Sequence, residues 1–198
     1  MFFLKVIGLC GGSGAGKGFV GKMFSERGFA VIDTDAVYHR LVSEKSPCLD
    51  ELVENFGEGI LGGDGSLNRG ALAAIAFSTP ELSRRLNEVT HKHVLGEVRK
   101  IIAGLPKSAR GVLVDAPMLF ESGFDKECDT VIGVIAPREI RLFRIMQRDG
   151  ISRERAEARI SAQLSDDKIE NMCSYVIYND GEADLTERVD EICKTILK

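Results

Sequence analysis

The sequence predicts a three-layer α/β fold, a five-stranded parallel sheet between helices, interrupted by a helical insertion. Three observations carry this prediction. Short apolar runs alternate with stretches whose apolar residues recur at three and four positions, the pattern of strands joined by crossover helices. One run, Thr130-Val131-Ile132-Gly133-Val134-Ile135, is apolar almost throughout, as expected of a strand covered on both faces. The first run, Leu4 to Leu9, leads through Cys10 into a glycine-rich turn, Gly11-Gly12-Ser13-Gly14-Ala15-Gly16-Lys17, with the spacing G-x-x-x-x-G-K.

That turn has a specific chemistry. Small residues let successive backbone N–H groups converge on a phosphate. The helix that follows adds its free N–H groups and its positive end. Lys17 reaches the β- and γ-phosphates as a point charge. The helix is read from Phe19, Val20, Met23 and Phe24, with Gly28 as its C-terminal stop. The full pattern has Ser or Thr after the lysine, whereas this chain has Gly18 and no hydroxyl to offer Mg²⁺.

The 198 residues suit one α/β domain with small insertions, and 44% apolar content suffices for a full core. A net charge of −4 gives no support for a general nucleic-acid surface. The five cysteines form no C-x-x-C pair, which argues against structural zinc and a disulfide framework and for a reduced, cytoplasmic setting. Met1-Phe2-Phe3-Leu4-Lys5 lacks the layout of a signal peptide and is assigned to the first strand. No window is apolar for long enough to span a membrane.

The second strand is Ala30-Val31-Ile32, with Asp33-Thr34-Asp35 at the edge where open α/β sheets place ligands. A helix begins near Asp35, and an N-cap role for either aspartate competes with a functional one. From Ser43 to Ala109 the pattern is helical and too long for a crossover loop, so it is read as an insertion. In it, Pro47 starts one helix, Asn68-Arg69 precede a run from Leu72 to Phe77, and Ser78-Thr79-Pro80 open a long helix ending by Gly104. The third strand, Gly111 to Val114, is followed by Asp115, an acid of the kind phosphate-loop enzymes place near the metal. Leu119 and Phe120 are packing residues, and Glu121 is open to a functional or a merely exposed role. After the fourth strand, Pro137 can open a helix on which Arg141, Arg144 and Arg148 share a face. Interspersed acids favour a solvated face for most arginines between Arg138 and Arg159, but one or both of Arg144 and Arg148 are expected to fork onto phosphoryl oxygens. Ser152 can cap the next helix. Tyr175 to Tyr178 is the fifth strand, ending in Asn179-Asp180-Gly181, and Leu185, Val189, Ile192 and Ile196 mark a final amphipathic helix.

Taken in order, these pieces resemble the dephospho-coenzyme A kinase family along essentially the whole chain. The resemblance is carried by Gly8 to Lys17, by Val31 to Asp35, and by Phe56-Gly57 through Asp64 to Arg69, Leu72 and Phe77. It continues with His91, Asp115 to Glu121, Arg144 to Gly150, and then Gln163, Lys168 and Asn179. It implies a P-loop kinase in three parts: an ATP-binding core over 1–42, 110–137 and 169–198, an acceptor-binding insertion over 43–109, and a lid over 138–168. The implied reaction moves the ATP γ-phosphate to the ribose 3′-hydroxyl of dephospho-coenzyme A, with Mg²⁺. The resemblance assigns ATP to Gly11 through Gly18, Phe19 and Asn179, with Lys17, Arg144 and Arg148 acting on the phosphates. It assigns the hydroxyl to Asp35, the metal to Asp33 beside Asp115, and the acceptor to Arg69, His91 and Glu121.

This chain departs from the family pattern at Gly18, at Lys92 after His91, at Ser165 and at Tyr178. Gly18 leaves three outcomes open: water in place of the hydroxyl, low activity, or nucleotide binding without transfer. Two other functions therefore stay open, another small-molecule or nucleoside kinase and an ATP-binding regulatory protein with impaired catalysis. A monomer without nucleic-acid or membrane partners is expected.

Overall fold

A computed structural model describes residues 4–43 and 45–198. The expected entry of Met1 to Phe3 into the first strand lies outside the described residues. The elements run β1 (Val6–Cys10), α1 (Lys17–Glu26), β2 (Ala30–Asp33), α2 (Thr34–Ser43), α3 (Pro47–Phe56), α4 (Arg69–Ala76), α5 (Pro80–Ala103) and β3 (Val112–Asp115). They continue with β4 (Thr130–Ile135), α6 (Arg138–Asp149), α7 (Arg153–Ser161), α8 (Asp166–Met172), β5 (Tyr175–Tyr178) and α9 (Thr186–Ile196). Two compact units result, one of residues 1–32 and 105–198, the other of 33–104.

The first unit is built on the five-stranded parallel sheet the sequence predicts, in the order β2-β3-β1-β4-β5. β1 lies between β3 and β4, and the register sets Leu9 beside Asp115 and Ile132, and Cys10 beside Gly133. Ile7, Leu9, Leu113, Ile132, Val134 and Ile177 form the sheet's share of a core completed by Val20, Met23 and Phe24 of α1 and Val189 and Ile192 of α9. Each such side chain contributes about 1.5–3 kcal/mol by leaving water. Phe19, expected on the apolar stripe of α1, is instead 57% exposed. Val20, with Met23 and Phe24 three and four residues on, takes the core-facing stripe, and Phe19 falls outside it.

The second unit is a helical cluster. Val42, Cys48, Leu52, Phe56, Leu72, Ala76 and Val89 are buried together, with Tyr38 and Leu41 packed against them. Side-chain caps set its helix starts: Ser46 accepts from Leu49 N, Asn68 from Ala71 N and Thr79 from Leu82 N. Because Asn68 is the cap, Arg69 is the first residue of α4 rather than preceding it. The boundaries also differ from the expected 43–109. α2 joins this unit because Tyr38, Leu41 and Val42 pack within it, and the unit closes at Gly104, which caps α5. The stretch 138–168, expected as a separate lid, falls within the first unit.

Candidate nucleotide site

β1 delivers the chain to the glycine-rich loop, and α1 begins at Lys17 as the loop ends. Gly11 has φ +149°, and a Cβ there would lie 2.3 Å from the Val134 carbonyl oxygen, so only glycine fits. A Cβ on Gly12 would meet the Arg141 guanidinium, and one on Gly16 would meet the Asn179 amide. The loop is thus a cradle of bare backbone gripped from outside by polar side chains.

Those side chains come from α6, the start of α1 and the strand ends. Lys17 Nζ donates to Gly11 O at 3.0 Å and stands 3.9 Å from Asp115 Oδ1, both side chains being largely buried. Arg144 Nη1 donates to Gly14 O at 3.1 Å, while its Nη2 donates to Asn179 Oδ1 at 3.2 Å. Asn179 is itself buried and donates Nδ2 to Ala15 O at 2.8 Å. Arg144, Asn179 and Lys17 therefore meet at one loop. Arg148 does not share that place: it forks onto Asp149 at 2.7 and 3.0 Å with 62% of its side chain exposed. Arg148, with Arg159 also contributing, holds the Asp149 carboxyl down at about 2.

Two residues not assigned a role from sequence also hold the loop. Arg141, 3% exposed, donates Nε to Ser13 O at 3.0 Å, Nη1 to Asp166 and Nη2 to Gln163 Oε1. Burial pulls its guanidinium below the usual arginine range. Gln163 Oε1 accepts from Ser13 N at 2.9 Å, and Gln163 Nε2 donates to Ser13 Oγ at 3.0 Å. A neutral amide oxygen thus occupies a backbone N–H of the kind such loops offer to phosphate. Their presence among the arginine series and the resemblance residues was the only sequence signal for either.

Glu121 is exposed and, with Cys10, Gly11, Gly12, Met118 and Gln163, lines a cavity of 220 Å³ in the same unit. The remaining expected residues lie in the helical unit. Asp33 Oδ1 accepts from Asp35 N at 2.9 Å and from Ala36 N at 3.2 Å, which makes Asp33 the N-cap of α2. Asp35 is exposed in the first turn of α2. Arg69 is exposed, and its charge draws down the Tyr38 hydroxyl against a larger upward push from burial. His91 is half-buried on α5; its near neighbour His93 pairs with Glu51 at 2.7 Å, and Lys92 pairs with the same carboxylate at 2.8 Å.

The residues fit a triphosphate in the first unit: loop amides, a lysine, the buried Arg141, the half-buried Arg144 and one carboxylate converge on the loop. Among the described residues no group of three His, Cys, Asp or Glu could hold a metal alone. Mg²⁺ keeps several waters and binds through one or two carboxylates plus substrate phosphates, and Asp115, 3.9 Å from Lys17 Nζ, is a carboxylate at the loop. A Cβ on Gly18 would meet nothing within 4 Å, so the backbone leaves room for a hydroxyl-bearing side chain there.

The family model described as dephospho-CoA kinase matches residues 5–184. A dephospho-CoA kinase of Fusobacterium nucleatum is 37% identical over 194 residues, covering 98% of this chain and 99% of the relative. Among solved structures, a Thermus thermophilus protein superposes with a TM-score of 0.82 at 32% identity, over 99% of this chain and 97% of that one. A dephospho-CoA kinase from Campylobacter jejuni does so with a TM-score of 0.70 at 25% identity, over 98% of each chain.

Proposed function

The chain belongs to the dephospho-CoA kinase family, and we propose that it transfers the ATP γ-phosphate to the ribose 3′-hydroxyl of dephospho-CoA. The observation that carries this reading is the bare-backbone cradle with Lys17 inside it, 3.9 Å from Asp115. Phosphoryl transfer asks for in-line positioning and neutralised charge rather than covalent chemistry. The loop amides and the N-terminus of α1 take the β- and γ-phosphates, and Lys17 adds its point charge. Arg144, anchored to Gly14 O and Asn179, supplies positive charge from a fixed position. Asp35 accepts the hydroxyl proton, and Arg69, His91 and Glu121 hold the acceptor. Asp33 and Asp115 would hold Mg²⁺, which when bound neutralises charge on the phosphoryl oxygens. Water serves where Gly18 offers no hydroxyl. The protein acts as a cytoplasmic monomer with no nucleic-acid or membrane partner.

The test is incubation with ATP and Mg²⁺ against a panel of dephospho-CoA and nucleosides, with products read by mass. One phosphate is expected on dephospho-CoA alone. Phosphorylated nucleosides, or ATP binding without any phosphorylated acceptor, would contradict the proposal.

A further inference from the structure

Cys10 and Cys173 are 163 residues apart in the chain, yet their sulfurs stand 3.4 Å apart. Cys10 ends β1, and Cys173 follows α8 just before β5. β4 runs between β1 and β5, and the gap across it is Gly133. Cys10 is paired in register with Gly133, and a Cβ on Gly133 would lie 3.0 Å from Cys173 Sγ and 2.5 Å from Ile169 Cγ2. Any side chain at Gly133 would crowd the Cys173 sulfur.

We propose that Cys10 and Cys173 are a peroxide-sensitive dithiol whose disulfide shuts the adjacent phosphate loop. A disulfide bond is about 2.05 Å long, so the sulfurs need close by only about 1.3–1.4 Å. Cys10 immediately precedes Gly11, whose carbonyl accepts from Lys17 Nζ. The segment leading to Cys173 carries Gln163 on Ser13 N and Asp166 on Arg141. Covalent closure therefore moves the loop's first residue and fixes the segment that keeps Gln163 on the Ser13 amide.

The two thiols divide the chemistry. Cys10 is 4% exposed, and its hydrogen bond with Cys173, together with burial, pushes its thiol up. The same hydrogen bond pulls Cys173 down, and Cys173 is half-buried rather than sealed. Cys173, the less buried of the two, is thus the thiol that meets the oxidant. Its sulfur attacks one oxygen of hydrogen peroxide, the O–O bond breaks, and hydroxide leaves and takes up the proton the thiol gave. Cys10 then attacks the sulfenic sulfur; the S–OH bond breaks, and the departing hydroxide takes the Cys10 proton as water. In sum, two thiols and one peroxide give one disulfide and two waters, and a dithiol reductant reverses it.

The loss of nucleotide binding rests on the kinase reading; the cross-link does not. The full-length protein is treated with hydrogen peroxide, mapped by non-reducing peptide mass analysis, and titrated with ATP. The expected results are a linked peptide pair joining positions 10 and 173, and ATP binding weakened at least about tenfold and restored by dithiothreitol. Cys173→Ala should bind ATP like the parent before treatment and equally well after it. Absence of the linked pair overturns the proposal, as does an equal loss of binding in treated Cys173→Ala. A linked pair with unchanged ATP affinity overturns the shut-off and leaves only the bond. A reduced parent that binds no ATP overturns the kinase reading and the shut-off together, while the peptide map still decides the bond.

Discussion

Alanine at position 11 would place a Cβ 2.3 Å from the Val134 carbonyl oxygen, on a strand with neighbours on both sides. The obstacle is backbone, so no side chain can rotate to relieve it. Forcing a non-glycine residue to φ +149° adds strain. Backbone strain costs about 1–3 kcal/mol and overpacking about as much again, so the change costs about 2–6 kcal/mol. Against a total stability of about 5–15 kcal/mol this is severe. At about 2–4 °C per kcal/mol for a chain of this size, the melting temperature should fall on the order of 10 °C. Gly18→Ala is the control. Position 18 is exposed, a Cβ there meets nothing within 4 Å, and alanine gains up to about 1 kcal/mol of helix propensity. Calorimetric unfolding of both variants, with ATP added to the Gly11 variant and the parent, separates the cases. Gly11→Ala should melt lower and show no rise with ATP, while Gly18→Ala should melt at or above the parent. A Gly11→Ala protein with the parent's melting temperature and ATP response would refute the reading of the loop as a cradle only glycine can form.

Lys17→Ala should abolish transfer, as followed by coupled ADP release. Asp35→Asn should leave ATP affinity near that of the parent and lower kcat by about 10²–10⁴; an unchanged kcat would remove Asp35 from its role. Gly18→Ser should lower the Mg²⁺ concentration needed for half-maximal rate or raise the rate itself, and an unchanged Mg²⁺ titration and rate would show that the missing hydroxyl limits nothing. Asp149, held at about 2 against an ordinary 3.8, is a carboxylate depressed in the folded state. Its contribution is fully present above about pH 4 and is lost as pH falls toward 2. Asp149→Asn should flatten that part of the acid-unfolding curve without changing stability's pH dependence near neutrality.

Some of this molecule is legible in sequence because the signal is local. Thr130–Ile135 and Tyr175–Tyr178 are strands at the residues where apolar runs begin and end. Thr79 and Ser152 cap helices because their side chains reach backbone three residues on. The loop is readable because its glycines carry the geometry themselves. What escapes is non-local. Arg141 and Arg148 lie on one helix face by spacing, yet one is buried on Ser13 and the other is in solvent with Asp149. Periodicity says which residues align, not what covers them. Gln163 meets Ser13 across 150 residues, a separation that no repeat or spacing reports. α2 looks like an ordinary crossover helix in sequence; that it packs with Cys48, Leu52 and Val89 is decided by tertiary burial.

The most direct measurement follows the label. With γ-labelled ATP, Mg²⁺ and dephospho-CoA, phosphorus NMR of the product locates the transferred group. Label esterified at the ribose 3′ carbon is the predicted result. Label found only in inorganic phosphate, or on any other hydroxyl, would contradict it.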